Sequence, residues 1–193
     1  MTLTLSGSQT AGPFFRIGLE RPKWSDLTAD GPAGQKIRIA GNLIDGDGQP
    51  VPDGLIEIWQ ANAAGKYAHP DDRQSKAVDP HFRGFGRACT DAQGRFGFLT
   101  VLPGVVAETN GTVQAPHINV SVFSRGLLRR LVTRIYFSDH AGENAADPLL
   151  RSIAQDDVRN TLIARRLDDI AAIPTYHFNI VLQGDGETAF LDV

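Results

Sequence analysis

A single cysteine, Cys89, stands in 193 residues, so no disulfide can form within the chain. One thiol suits a reducing compartment, and a cytoplasmic location is the expectation. A chain of this length buries roughly 70% of the surface that its unfolded form exposes, enough to fold without a cross-link or a structural metal. The N-terminus, Met1-Thr2-Leu3-Thr4-Leu5-Ser6, has no basic n-region, so no signal peptide is expected. No apolar run approaches the roughly 20 residues needed to span a bilayer, which argues against a membrane partner. A basic excess is also missing. Nineteen Lys and Arg stand against 22 Asp and Glu, a net charge of −3, and this argues against nucleic acid as a partner.

The common catalytic signatures are absent as well. There is no glycine-rich phosphate loop, no Gly-x-Ser-x-Gly elbow, no His-Glu-x-x-His pair and no Cys-x-x-Cys. None of the five histidines, His69, His81, His117, His140 and His177, is spaced to chelate a metal with another. His69 with Asp71 and Asp72, or Asp139 with His140 and Glu143, could ligate a cation, but charged clusters in turns are far more often solvated surface.

What is present is a succession of short strands separated by turns. Lys36-Ile37-Arg38-Ile39-Ala40 and Leu55-Ile56-Glu57-Ile58-Trp59 alternate polar and apolar residues, as half-buried strands do. Asp45-Gly46-Asp47-Gly48 and Asp91-Ala92-Gln93-Gly94 are turn sequences, the second leading into Arg95-Phe96-Gly97-Phe98-Leu99. Further strands are expected over 118–123, 132–137 and 176–181. Helical spacing, with an acidic start and a basic end, predicts a helix over 157–166, and Asp147-Pro148 opens a shorter one. The fold class is therefore all-β: an antiparallel β-sandwich with long loops and one or two short helices. A single domain over 1–193 is expected, with an N-terminal arm at about 1–34. The stretches 6–34 and 61–86 are long, rich in Gly and Pro, and carry aromatic residues, which favours ordered, functional loops. His117 opens a strand, and Asn119 lies two residues on, facing the same way. An amide is a poor transition-metal ligand, so a histidine satisfied by hydrogen bonds is the expectation.

Several strings resemble the intradiol ring-cleavage dioxygenases: Gln9-Thr10-Ala11-Gly12-Pro13-Phe14, Trp59-Gln60-Ala61-Asn62-Ala63-Ala64-Gly65-Lys66-Tyr67, Pro103-Gly104-Val105-Val106, Ala115-Pro116-His117-Ile118-Asn119, Arg134-Ile135-Tyr136-Phe137 and Gly184-Asp185-Gly186-Glu187-Thr188. The resemblance runs from about residue 6 to the C-terminus and implies a β-sandwich oxidoreductase of aromatic catabolism. Family members hold a non-haem ferric iron (Fe3+) with two tyrosines and a His-x-His pair. Tyr67 matches the first tyrosine and His117 the first histidine, whereas Val106 and Asn119 stand at the other two positions. Valine offers no donor, and hard ferric iron wants anionic oxygen.

The chain therefore resembles the iron-free chain of a two-chain member. Its homologous beta subunit would hold the iron and, with O2, cleave protocatechuate to 3-carboxy-cis,cis-muconate. The resemblance implies that Thr10, Gly12, Pro13 and Arg125 form one wall of the substrate pocket, with Arg125 suited to the substrate carboxylate, and that the pairs build a large symmetric αβ oligomer. A non-catalytic, prealbumin-like binding module and a stand-alone catechol dioxygenase are the competing readings.

Overall fold

The computed structural model describes residues 7–108, 111–167 and 172–192, with the side chain of Pro13 left aside. Two runs of alternating residues set its frame. Strand β1 (Lys36–Ile44) buries Ile37, Ile39 and Leu43, and β2 (Leu55–Gln60) buries Ile56 and Ile58. The strands that follow are β3 (Phe85–Cys89), β4 (Arg95–Val101), β5 (Val106–Ala107), β6 (Val113–Gln114), β7 (His117–Phe123) and β8 (Leu131–Phe137). Strands β9 (Ile163–Arg166), β10 (Thr175–His177) and β11 (Ile180–Val181) complete the set.

One layer is β4-β1-β10/β11 and the other is β8-β7-β2-β3, with β9 joining them between β10 and β8. Their facing sides pack Ile37, Ile39, Phe98 and Tyr176 against Ile58, Ile118, Val120 and Phe137, all buried. Core burial of this kind is worth roughly 1.5–3 kcal/mol per large apolar side chain. The two Asp turns close in the same way. The carboxylates of Asp45 and Asp91 each accept from two backbone N–H groups of their own turn.

The all-β reading holds, and the strands expected at 36, 55, 95, 118 and 132 form within a residue or two of their starts. Four details differ. The strand expected over 176–181 is split at Phe178–Asn179, although β10 and β11 keep one register on β1: Arg38 faces Thr175, and Leu43 faces Ile180. Both pair with β1 in parallel, as β9 does with β8, so the sheet is mixed.

The helix expected over 157–166 stops early. Helix α4 covers only Asp156–Asn160, and Ile163–Arg166 is strand β9. There it supplies the ladder bonds Tyr136 N–H to Leu162 O (2.8 Å) and Ser138 N–H to Ala164 O (3.0 Å) and buries Ala164. Closure of the sheet outweighs a weak local helical preference. Helices are also more numerous than expected. Among the described residues α1 (Pro13–Leu19), α2 (Ala141–Ala146) and α3 (Pro148–Ser152) join α4, and a 3-10 turn covers Pro22–Ser25. The arm thus carries a helix that Pro13 opens from its first position, where a missing N–H costs nothing. No described helix is long and apolar enough to cross a membrane.

Candidate functional site

On β7 the residues Ile118, Val120 and Val122 face the core, so His117 and Asn119 face the other side. The loop that follows β2 covers them, and its family-like run is what shapes it. Gln60 is fully buried: its amide N–H donates to Val101 O at 2.9 Å, and its carbonyl accepts from Thr100 Oγ1 at 2.8 Å. Asn62 Oδ1 accepts from the N–H of Ala64 and of Lys66, both at 3.0 Å, and folds the chain back. Lys66 then turns inward to Asp72 and the carbonyl of Gln74. Gly65 has φ +80°, and a Cβ there would lie 1.9 Å from Val105 O. Only glycine lets the loop come this close to the Pro103–Val106 segment. The result brings Tyr67 beside Val106.

Tyr67 stacks on Trp59, with ring centroids 5.8 Å apart, and its hydroxyl lies 3.1 Å from His117 Nε2. The proton positions follow from the partners. His117 Nδ1 lies 2.8 Å from Ala115 O, which can only accept, so Nδ1 carries the hydrogen and Nε2 accepts from Tyr67. Asn119 Nδ2 donates to the Tyr67 hydroxyl (2.9 Å) and to Trp59 O (3.1 Å), and its Oδ1 accepts from Arg134 Nε at 3.0 Å. Every hydrogen bond therefore runs one way, from the Arg134 guanidinium through Asn119, Tyr67 and His117 to a backbone carbonyl.

Arg134 comes from β8, directly opposite Asn119 in the β7–β8 ladder. Its Nη1 also donates to Gln114 Oε1 (3.1 Å) and to the Tyr136 hydroxyl (3.4 Å). Gln114 in turn donates to Glu108, and Tyr136 donates to buried Asp147 at 3.0 Å. Two carboxylates thus answer the guanidinium through one intermediary each. Trp59, Tyr67, Gln74, Val106 and Asn119 line a cavity of about 640 Å³ above this centre.

Burial raises the Tyr67 phenol above its usual range, against the opposing pull of Asn119 and Arg134, so the hydroxyl stays protonated. Burial first, and Arg134 second, push His117 down to about 4. At neutral pH both folded and unfolded chains hold this imidazole neutral. Below 6.5 only the unfolded chain takes up the proton, so stability is lost as pH falls towards 4, by about 3 kcal/mol in all. In urea unfolding at neutral pH and at about pH 4.5, His117→Gln is expected to remove most of that dependence; an undiminished difference would assign it elsewhere.

The four positions matched to iron ligands do come together, as the resemblance implies, but they do not fit a ferric ion. Val106 has no donor, the second histidine position is an amide, and the phenol and imidazole are spent on each other. Among the described residues no group of three or more His, Cys, Asp or Glu could hold a metal. His69 pairs with Asp71 at 3.6 Å and His140 with Glu143 at 3.5 Å, as surface pairs.

The other residues singled out in the sequence gather on a different surface. Thr10 Oγ1 accepts from Gly126 N–H at 2.8 Å, and Gly12 caps α1. The Phe15 and Phe123 rings lie 5.5 Å apart, pinning the arm to the turn that carries Arg125. Arg125 is 71% exposed and pairs with Asp53 only at 3.5 Å. Nothing lies within 4 Å of a Cβ built on Gly12, and its φ of −88° is open to any residue. The chain's own packing therefore does not require that glycine.

Sequence reasoning missed Arg134, Gln114 and Asp147 as parts of the buried centre. A polar residue two before Tyr136 on a strand was the available signal, but the β7–β8 register that sets Arg134 against Asn119 is not written locally.

Residues 12–184 match the family model described as Dioxygenase. The protocatechuate 3,4-dioxygenase alpha chain of Pseudomonas putida is 40% identical, covering 96% of this chain and 94% of that one. The protocatechuate 3,4-dioxygenase beta chain of Burkholderia cepacia is 38% identical, covering 81% and 68%. Among solved structures, an intradiol ring-cleavage dioxygenase from Tetranychus urticae superposes with a TM-score of 0.64 at 18% identity, covering 97% of this chain and all of that one. With its sandwich and these relatives in agreement, the chain belongs to the intradiol ring-cleavage dioxygenase family.

Proposed function

We propose that this chain is the iron-free, α-type subunit of a protocatechuate 3,4-dioxygenase, folded as one domain and working in the cytoplasm. The observation that carries this reading is the closed Arg134–Asn119–Tyr67–His117 chain beside Val106, which leaves no donor for a reaction centre of its own. Identity alone does not separate the α from the β relatives, at 40% and 38%. Val106 and Asn119, which stand where the family resemblance implies iron ligands, support the α reading and weigh against a stand-alone catechol dioxygenase. In this reading a homologous beta subunit holds the ferric iron, and pairs of the two chains build a large symmetric oligomer.

The contribution of this chain is a wall. Thr10, bonded to the turn that carries Arg125, supports the reading that Thr10, Gly12, Pro13 and Arg125 form this wall, where a bare Gly12 backbone would let a flat ring approach closely. Arg125, mostly exposed and only loosely paired, is free to turn its fork of donors towards the substrate carboxylate. It would bind and orient protocatechuate for reaction with O2 at the neighbouring chain's iron, and help to exclude water.

The test is to purify the chain alone and co-expressed with its candidate partner, and to measure iron, visible absorbance and ring cleavage. A colourless lone chain and a coloured, active complex are expected. Iron and activity in the lone chain would refute the reading. In the complex, Arg125→Ala is expected to raise KM for protocatechuate about 10- to 100-fold, the loss of one charge-assisted pair, with iron content unchanged.

A further inference from the structure

We infer that Arg134, in addition to the two missing donors, bars a metal from the centre beneath the Trp59–Tyr67 stack: it supplies a fixed positive charge there and sets the direction of the hydrogen bonds it makes, above all the one to position 119. The observations are geometric. Its guanidinium is fixed from three sides, by Asn119, Gln114 and the Tyr136 hydroxyl. Glu108 and Asp147 stand behind the last two, so the negative charge that would balance a bound cation already balances this one. Arg134 lies across the ladder from position 119, one side chain away from the Tyr67 oxygen.

The consequence for metal binding is one of hydrogen-bond direction as well as charge. A guanidinium has five N–H donors and no acceptor. A metal-ligating imidazole gives its lone pair to the metal and needs an acceptor for the N–H on its other nitrogen. A histidine placed at position 119 would meet donors from Arg134, so it would turn its lone pair to the arginine and its N–H to the centre. That is the wrong tautomer for a ligand. Supplying both missing donors therefore does not restore a site while Arg134 remains. Replacing Arg134 by glutamine removes the charge and offers a carbonyl oxygen, which reverses the direction of the bond to position 119 and leaves the His117 N–H on Ala115 O as a ligand needs it.

The test compares full-length variants reconstituted with ferric iron and freed of excess metal. Val106→Tyr with Asn119→His is expected to retain only a trace of iron. The same pair with Arg134→Gln is expected to retain roughly stoichiometric iron, release the two phenolic protons to solvent as the tyrosines bind, and show a visible tyrosinate-to-iron charge-transfer band. The pair with Arg134→Lys keeps charge and donors, and is expected to stay iron-free and colourless. Arg134→Glu, which also accepts and carries no positive charge, replaces the glutamine variant if that protein does not fold by circular dichroism. Iron in the Val106→Tyr/Asn119→His protein or in its lysine derivative would overturn the inference. So would its absence from the folded glutamine or glutamate variant.

Discussion

Phe14→Asp, Ile17→Asp and Leu128→Asp introduced together are expected to leave the chain folded with its own Tm unchanged, yet to abolish assembly with the partner and with it ring cleavage. These three side chains are 84%, 65% and 63% exposed, and they sit on the arm helix and on the turn beside it. None contributes to the core, so charging them costs the isolated fold little. Large apolar side chains left this bare on neighbouring segments mark an interaction surface. Burying them against a second chain is worth about 3 to 6 kcal/mol together, which is roughly 10² to 10⁴ in affinity. Analytical ultracentrifugation of the mixed chains reads the loss directly. A variant that still assembles and turns over normally would move the partner-facing surface elsewhere and remove the case for Thr10 and Gly12 as a pocket wall.

Asp147→Ala is expected to cost about 4 kcal/mol of stability in urea unfolding, the largest effect of any single polar residue described. Asp147 is fully buried. Its Oδ1 accepts from the Tyr136 hydroxyl and from the N–H of Leu149 and Leu150, which caps α3, and its Oδ2 accepts from Ala115 N–H at 2.9 Å. Losing an N-cap costs about 1 kcal/mol, and each buried donor left without a partner costs about 1–3 kcal/mol more. Burial holds the Tyr136 phenol far above its usual range, with Asp147 raising it further, so it remains a donor throughout and is stranded by the change. Asp147→Asn keeps the Oδ1 contacts but turns an amide towards the Ala115 N–H, and is expected to cost about half as much. If alanine costs less than about 1 kcal/mol, solvent reaches these donors and the site is less closed than its burial indicates.

How far the sequence could be read depended on whether a feature is local. The alternation of Ile37, Ile39 and of Ile56, Ile58 names two core strands by itself, because a strand's period of two is a property of the chain alone. Tyr67, Val106, His117 and Asn119 were legible as a group only through resemblance to a family. Their convergence depends on Gly65 meeting Val105 across 40 residues, which no local pattern records. Ile163–Arg166 was misread because an apolar, basic run after an acidic start suits a helix, while the pull towards strand comes from β8 and β10 in space. Arg134 stood in a string that carries the family resemblance, with no role assigned to it. Its importance comes from the residue opposite it, and cross-strand partners are fixed by register.

The Trp59–Asn62 run is the signal by which a reader of sequences recognises this family, yet Gln60 and Asn62 spend their polar atoms on backbone and on Thr100. With these bonds they fold a loop. After a gene duplication, selection for folding alone would preserve them in a copy that had stopped catalysing. Genome surveys that score such runs will therefore count silent and working copies alike. Sorting the two requires looking at positions 106 and 119, where the family resemblance implies iron ligands and this chain carries Val106 and Asn119.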